Sequence, residues 1–530
     1  MRKETKKNLL VAGSYAAVLF LGLLLGQYFA DENSRTGQNS FLPLSIINHP
    51  GKVQRLIDLI ADRYVDSIGT EQLEDLAIDE IVARLDPHSE YLGANQAQQQ
   101  HETLEGSFEG IGIEYYNLND TLMTVGLLPE GPAEQAGIQV GDKLLAIDGD
   151  TIAGRPISEK ALENKIRGRR GTAIEIAINR NGTNLPLPLK VIRDRVEVSS
   201  VDAAYLIDSI TAYIKIKRFG ANTADDFEQS LENLKKRGAQ QLVLDLRENG
   251  GGYFSAATAL ASHFFDNKQL IVYTEGAHEP RVDYYSNADG LFGKGELAVL
   301  IDENSASASE IVAGAVQDLD RGIIIGRPSY GKALVQEQFG FGDGSALNLT
   351  VARYYTPLGR CIQKSYGNRN DSIAPTTRFP STDHNDSLAY TTRAGKQVYG
   401  GGGISPDVIV PVDSSRVSTL YREIRKSDLI ETYVYERLTH SLPSYSVENY
   451  LKGYFLPEKE YASFLQYIQD QGLEFSAREA KAVKSMVRSD IEALLGRYYF
   501  GSEAFYKVKN RSDEVLAQAL AALHGQQRPQ

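Results

Sequence analysis

The sequence predicts an α/β protein: an α/β core with an inserted β-rich module, an apolar N-terminal span and a helical C-terminal extension. Three observations carry this. Strand-like and helix-like runs alternate between about 210 and 360, which is βα repetition. From about 106 to 192 short apolar runs are separated by Gly and Asn/Asp turns, a β-rich pattern. From 415 to 525 the apolar spacing is helical, as at Leu429, Tyr433 and Leu438 and again at Leu516, Leu520 and Leu523. At about 150 residues per domain, a chain of 530 residues has room for three to four such parts.

Leu9–Ala30 carries no charge and one amide, Gln27. A helix of that length spans roughly 33 Å, enough for a bilayer core. Arg2, Lys3, Lys6 and Lys7 precede it, with Glu4 alone against them, and Asp31 and Glu32 follow. The positive-inside bias puts the N-terminus in the cytosol and the bulk of the chain outside. The alternative is a cleaved signal peptide. Cleavage after Ala30 would place bulky Tyr28 at −3, where small residues are preferred, so an uncleaved anchor is the reading taken. No cysteine lies in or just after the run, which excludes a lipoprotein anchor.

Residues 31–50 are polar with Gly and Pro, and read as a linker. Val53, Leu56, Ile57, Ile60 and Tyr64 give one helical pattern. Leu73, Leu76, Ile81 and Leu85 give a second, with Thr70 as N-cap and an end at Asp86-Pro87. Strands are expected in the module at Ile111–Tyr115, Leu122–Leu128, Lys143–Asp148, Ala173–Asn179 and Leu185–Val191. In the core the expected order is strand Ile210–Ile216, helix Thr223–Arg237, strand Gln241–Leu246, helix Tyr253–Phe265, strand Leu297–Asp302, helix Ser309–Leu319 and strand Gly322–Gly326. Residues 365–400, rich in Ser, Thr, Asn and Asp, read as a long loop.

Composition removes several function classes. The net charge of −13 argues against nucleic-acid binding, which needs a basic face. A single cysteine, Cys361, excludes a disulfide framework, a Cys-rich zinc site and a CxxC redox motif. The eight histidines show no HExxH or HxH spacing, so no metal site is expected.

Four segments carry chemistry. Asn304–Glu310 places small residues and three serines at a strand-to-helix turn, where a hydroxyl can stand exposed beside free helix N–H groups. An ordinary N-cap is the plain alternative. Ser329-Tyr330-Gly331-Lys332, followed by Gln336, begins after the next strand. In a βαβ unit neighbouring strand ends come close, so Lys332 and Ser307 could meet. A lysine acts as general base only if burial lowers its pKa from ~10.4 toward ~7, a cost of about 4–5 kcal/mol. On its own, a lysine in a Gly-containing loop reads as a solvated cation. An SxxK reading of Ser329 and Lys332 needs a helix, against which Pro328 and Gly331 argue, and no SDN or KTG element accompanies it. No serine stands in a GxSxG elbow, which weakens a Ser-His-Asp reading. Asp245–Gly252, at a strand end, can offer backbone N–H groups to an anion, without GxGxxG spacing or a GK[ST] element. Phe108–Ile113 can cradle a peptide carboxylate in its glycine-flanked loop while the strand accepts an added β-strand. A plain hairpin turn is the alternative.

Taken together and in order, these segments resemble the carboxyl-terminal processing peptidases, or tail-specific proteases, over about residues 50–410. The resemblance rests on Leu85-Asp86-Pro87-His88-Ser89, the Gly110–Ile113 loop with Gly131-Pro132-Ala133 and Gly137 to Gly149, Asp245–Gly252, Ser305–Glu310, Tyr330–Gln336, and Gly402-Gly403-Ile404-Ser405-Pro406-Asp407. It implies a crotonase-like α/β protease core with an inserted PDZ domain that binds substrate C-termini. It implies a Ser/Lys dyad, with Ser307 as nucleophile, Lys332 as general base and Gln336 orienting the lysine. Ala308 and Gly251 would supply the oxyanion hole, with Gly252 the alternative to Gly251. Gly110, Ile111, Gly112 and Ile113 would form the carboxylate loop, and Arg247 reads as structural. Ala333 departs from the family's usual Gly after the base lysine.

The expected division is an N-terminal segment 1–30, a linker and helical region 31–105, a PDZ domain 106–192, a serine protease core 193–412 and a helical extension 413–530 of unassigned role. The expected activity is a serine endopeptidase acting on extracytoplasmic proteins with apolar C-terminal tails, without cofactor or metal. It would sit as a single-pass protein of a bacterial inner membrane, its bulk in the periplasm, or be released there by signal cleavage. Homo-oligomerisation is left open. The competing classes are a catalytically inactive PDZ scaffold or chaperone, against which intact Ser307, Lys332 and Gln336 weigh, and a crotonase-like acyl-CoA enzyme. The export signal argues against the latter, because CoA is cytosolic.

Overall fold

The computed structural model describes residues 51–185, 187–365, 389–412, 418–439 and 445–525. Leu9–Ala30 therefore lies outside the described residues, and among the described ones no helix is long and apolar enough to cross a membrane. The chain divides into two compact units, 1–77 and 78–530. The first holds the helix Lys52–Arg63 and the start of the helix Thr70–Ala83, which begins at Thr70 itself.

In the second unit a six-stranded sheet runs in the order Val201–Leu206, Thr211–Ile216, Gln241–Asp245, Glu296–Ile301, Ile323–Gly326, Val408–Ile409. The first pair is antiparallel and the rest are parallel. Period-two alternation divides the strands between two apolar layers. Ala212, Ile214, Leu242, Leu244, Leu297 and Val299 face the helices Thr223–Lys236, Phe254–Ser262 and Ala308–Asp318. Tyr213, Val243, Ala298 and Leu300 face the other way. They are covered by Val515, Leu516, Ala519 and Leu523 of the C-terminal helix Glu514–Leu523. The seven elements expected from 210 to 326 are all observed in that order, with ends shifted by at most three residues.

A five-stranded sheet joins Glu90–Leu92, Leu270–Glu275, Val282–Tyr285, Leu334–Gly340 and Ala346–Tyr355. None of its strands was expected. Leu334–Gly340 turns exposed after Gln336, and Ala346–Tyr355 is mostly half-buried and carries Asn, Thr and Arg, so no clean apolar run marks them. The helix Ala94–Glu105 is likewise unmarked, because it buries only Ala97 and has Gln at four positions. The expected 365–400 loop is corrected in its described part. Ala389–Thr391 pairs with Gln397–Tyr399 as a hairpin, and residues 366–388 lie outside the described residues.

The inserted module is a seven-stranded sheet between Ile113 and Ile192, with the helix Glu159–Ile166 packed on its apolar core. Its entry and exit strands, Ser107–Gly110 and Asp194–Glu197, pair antiparallel, so the chain leaves the module where it entered. The first strand starts at Ile113, not Ile111, because Gly112 turns the chain at φ +76°.

The extension is helical as expected, with a π turn at Val434–Leu438 that prolongs the helix Leu429–Tyr433. Its apolar core also takes in Leu118 and Met123 of the module. Tyr116 hydroxyl lies 2.7 Å from Thr432 Oγ1, and Arg497 pairs with Glu114 at 3.0 Å.

Candidate active site

The strand Glu296–Ile301 ends in the turn that carries Ser307. This residue sits at φ +52°, ψ −110°, immediately before the helix Ala308–Asp318. A non-glycine residue there costs of order 1–3 kcal/mol and persists only where its surroundings hold it. The holding groups are plain. Ser305 Oγ donates to Leu246 O (2.9 Å), Ala306 N–H donates to Asn249 O (3.0 Å), and Ser307 N–H donates to Glu310 Oε2 (2.8 Å).

Two buried groups tie this turn to the lysine segment. Glu310 Oε2 also accepts Lys332 N–H (2.9 Å), while Oε1 accepts Gly331 N–H (2.7 Å) and the Ser329 hydroxyl. Tyr354 hydroxyl lies 3.1 Å from the Ser307 carbonyl and 2.9 Å from the Lys332 carbonyl. Burial pushes the Glu310 carboxyl up to about 7, and the donors around it oppose that rise. Ser307 and Lys332 thus hang from one carboxylate and one phenol, and both line a cleft of about 650 Å³.

Lys332 Nζ donates to Gln336 Oε1 at 2.8 Å, and Gln336 Nε2 donates to His88 O. Gln336 stands on a strand, so its position is set by the pairing of Leu334–Gly340 with Ala346–Tyr355. His88 is presented by a turn that Asp86 caps, accepting His88 N–H and Ser89 N–H (2.8 Å each) and Ser89 Oγ (2.7 Å). Burial lowers the Lys332 pKa below its ordinary value, against the pull of Asp86, Glu310 and Glu90. Burial lowers His88 too, and Lys332 adds to the effect.

The loop Leu246–Gly252 packs against the nucleophile turn. Asn249 O accepts the Ser309 hydroxyl at 2.9 Å as well as Ala306 N–H. A Cβ on Gly251 would stand 2.9 Å from Ser307 Cβ and 3.0 Å from Ala308 N, so only glycine fits. The Gly251 N–H, however, donates to Asn249 Oδ1 at 2.9 Å. Gly250 and Gly252 line the cleft beside Ser307, and Gly251 does not. Asp245 at the strand end is buried. Burial alone would raise its carboxyl, but Arg247 and Lys215 overcome that and hold it well below the usual range.

None of the four module residues lines this cleft. Gly110 ends the entry strand, and Ile111 is buried among Leu162 and Ile166. Gly112 O accepts Leu128 N–H (3.1 Å), and Ile111 O accepts Ala133 N–H (2.8 Å). The module reaches the cleft through the helix Ala94–Glu105. Gln99 Nε2 donates to Glu163 (2.9 Å) and Arg167 pairs with Glu102, while Gln96, Gln99, Gln100 and Leu104 line the cleft.

Sequence reasoning quoted Glu310, His88 and Asn249 without a role, and it missed Tyr354. Glu310 carried a signal, as an acidic residue three positions into a helix that buries every residue. Tyr354 carried none, because its role arises from a strand pairing that the sequence did not mark.

The model of peptidase family S41 matches residues 210–376, that of the PDZ domain residues 125–180, and that of a family of unknown function residues 420–501. The carboxy-terminal processing protease CtpB of Bacillus subtilis is 32% identical over 336 residues, 63% of this chain and 68% of the relative. A carboxy-terminal-processing protease of Bartonella bacilliformis is 36% identical over 313 residues, 58% of this chain and 71% of the relative. The solved structure of a photosystem II D1 C-terminal processing protease is 24% identical, at a TM-score of 0.35, over 68% of this chain and 92% of its own. The family matches define a serine-type peptidase that carries a PDZ domain. The chain belongs to the carboxy-terminal processing proteases of peptidase family S41.

Proposed function

We propose that the chain is an endopeptidase with a Ser307/Lys332 dyad that cleaves extracytoplasmic proteins near apolar C-terminal tails held by the PDZ domain. The observation that carries this is the double tie of Glu310 and Tyr354 between Ser307 and Lys332, with both residues on one cleft. Lys332, whose pKa burial lowers, takes the Ser307 hydroxyl proton in its neutral form as Oγ attacks the substrate carbonyl. The tetrahedral oxyanion faces the N–H groups of Ala308 and of the 250–252 loop. Because the Gly251 N–H is engaged by Asn249, Gly252 is the better donor in this conformation. Collapse expels the amine, which recovers the proton from Lys332. Water, deprotonated by Lys332, then releases the acyl group from Ser307. Gln336, fixed by the His88 carbonyl, accepts from the ammonium and aims it.

In the same reading the core is crotonase-like, and the domains divide at about 30, 105, 192 and 412. Gly110–Ile113 receives the tail's carboxylate, and Leu9–Ala30 anchors the chain to the inner membrane with the rest in the periplasm. The test is Ser307→Ala and Lys332→Ala, assayed on a peptide with an apolar C-terminus. Each is expected to lose at least about a thousandfold in kcat. Full turnover in either variant would sink the dyad.

A further inference from the structure

We infer that Asp513, carried by the C-terminal extension, is a positioning residue of the peptidase site, holding the glycine loop through Arg247. Asp513 lies beyond both the peptidase match and the match to the family of unknown function. The inference rests on the proposed reading of the 250–252 loop as part of the oxyanion hole.

Arg247 is gripped from two sides. Asp245, on its own strand, takes its Nε (3.0 Å) and Nη2 (2.6 Å). Asp513 takes its Nη1 at 2.8 Å. Lys215 pairs with Asp245 at 3.3 Å and donates to the Arg247 carbonyl, and Tyr213 hydroxyl donates to Asp245 at 2.7 Å. Two cations and two carboxylates therefore balance in a place where Asp513 and Arg247 keep only 15% and 17% of their side chains exposed. Removing the Asp513 charge leaves a surplus positive charge there and frees one side of the guanidinium.

The loop transmits that freedom to the chemistry. Glu248 follows Arg247 at φ +57°, a conformation that needs external support. Asn249 comes next, and its carbonyl and side chain hold Ala306, Ser309 and Gly251. One residue, Glu248, thus separates the Arg247 grip from Asn249, whose contacts fix the nucleophile turn and the glycine donors. Asp513 contributes from outside the catalytic core, by setting where the loop stands.

Asp513 has a second task that the test must separate. Its Oδ1 accepts Leu516 N–H at 3.0 Å and caps the helix Glu514–Leu523. Asn and Ser cap helices comparably, so Asp513→Asn and Asp513→Ser keep the cap and remove the charge. In the full chain, with a peptide of apolar C-terminus, both variants are expected to lose about tenfold in kcat, with KM within about twofold and the chain, although its Tm is lowered, still fully folded at the assay temperature. That is a fraction of the 10²–10³ that an absent oxyanion donor costs. Wild-type kcat in both variants overturns the inference. So does a kcat loss that merely follows the fraction unfolded in a melting curve. Ser307→Ala runs alongside. If it keeps activity, the underlying reading has failed. If it is inactive while Asp513→Asn matches wild type, the role of Asp513 alone has failed.

Discussion

Glu310→Gln is the perturbation that tests the organisation of the site most directly. The carboxylate accepts four donors, two on each oxygen. A glutamine offers one oxygen, so two donors must face its NH₂ group. Either Ser307 and Lys332 lose their shared acceptor, or Ser329 and Gly331 do. Each buried donor left without a partner costs about 1–3 kcal/mol, hence roughly 2–6 kcal/mol for the pair. Against this stands the burial of the charge. A carboxyl moved from 4.5 to about 7 represents roughly 3 kcal/mol at 1.36 kcal/mol per pH unit. Because the folded value lies above the unfolded one, that contribution is fully present below pH 4.5 and is lost as pH rises through about 7. Relative to the variant, whose glutamine does not titrate in this range, the wild type should therefore lose roughly 2–3 kcal/mol between pH 5 and pH 8. Urea denaturation at both pH values measures it, and kcat at pH 8 should fall because the Ser307 and Lys332 backbones lose their common anchor. A margin that does not change with pH, or a variant with wild-type kcat, would refute the reasoning.

Other perturbations follow from the same geometry. Burial holds Lys332 below its ordinary value, so kcat/KM should climb with pH to a plateau reached before an exposed lysine would titrate; a profile flat from pH 5 to 10 would exclude Lys332 as base. Since this folded value is depressed, stability from the group is present above 10.5 and is lost as pH falls through it, so Lys332→Met should melt higher than wild type at neutral pH. Tyr354→Phe removes the hydroxyl between the Ser307 and Lys332 carbonyls, and should cost about 1–2 kcal/mol in denaturation together with a several-fold drop in kcat. At Gly252, φ is +144° and a Cβ would stand 2.0 Å from Phe219 O, so Gly252→Ala should lose at least about 4 kcal/mol, read as a collapsed Tm.

How much of this was legible in the sequence differs between the two halves of the site. That Ser307 and Lys332 could meet was legible, because the segments bearing them follow strands with clear apolar runs and parallel neighbours bring their ends together, while their roles came from the family resemblance. What joins them was not legible. Tyr354 stands on a strand of mixed polarity in the second sheet, and a pattern of half-buried polar residues has no period to read. The cleft wall Ala94–Glu105 hides for the same reason, because a helix that buries one alanine shows no stripe. The glycine loop was seen as an anion cradle, but which N–H is free depends on Asn249, whose side chain the sequence cannot aim.

The extension stood between these cases, and its reason was available. Gln241–Asp245 and Glu296–Ile301 read as nearly unbroken apolar runs, and parallel strands of that kind are buried on both faces. The three helices that pack on Ile214, Leu244 and Val299 cover one face only. Tyr213, Val243 and Leu300 therefore require a second cover, and among the described residues no helix between 210 and 412 supplies it. The helix Glu514–Leu523 does, and its arrival brings Asp513 to Arg247. The same extension closes its own core over Leu118 and Met123 of the module. A segment that completes the sheet must be set against it at a fixed register, so any charge at that helix's start acquires a fixed distance to the strand ends. The strand ends are where the glycine loop and the nucleophile turn begin. The extension is thus bound to the catalytic geometry by the sheet's need for a second layer, and Asp513 is where that need meets the chemistry.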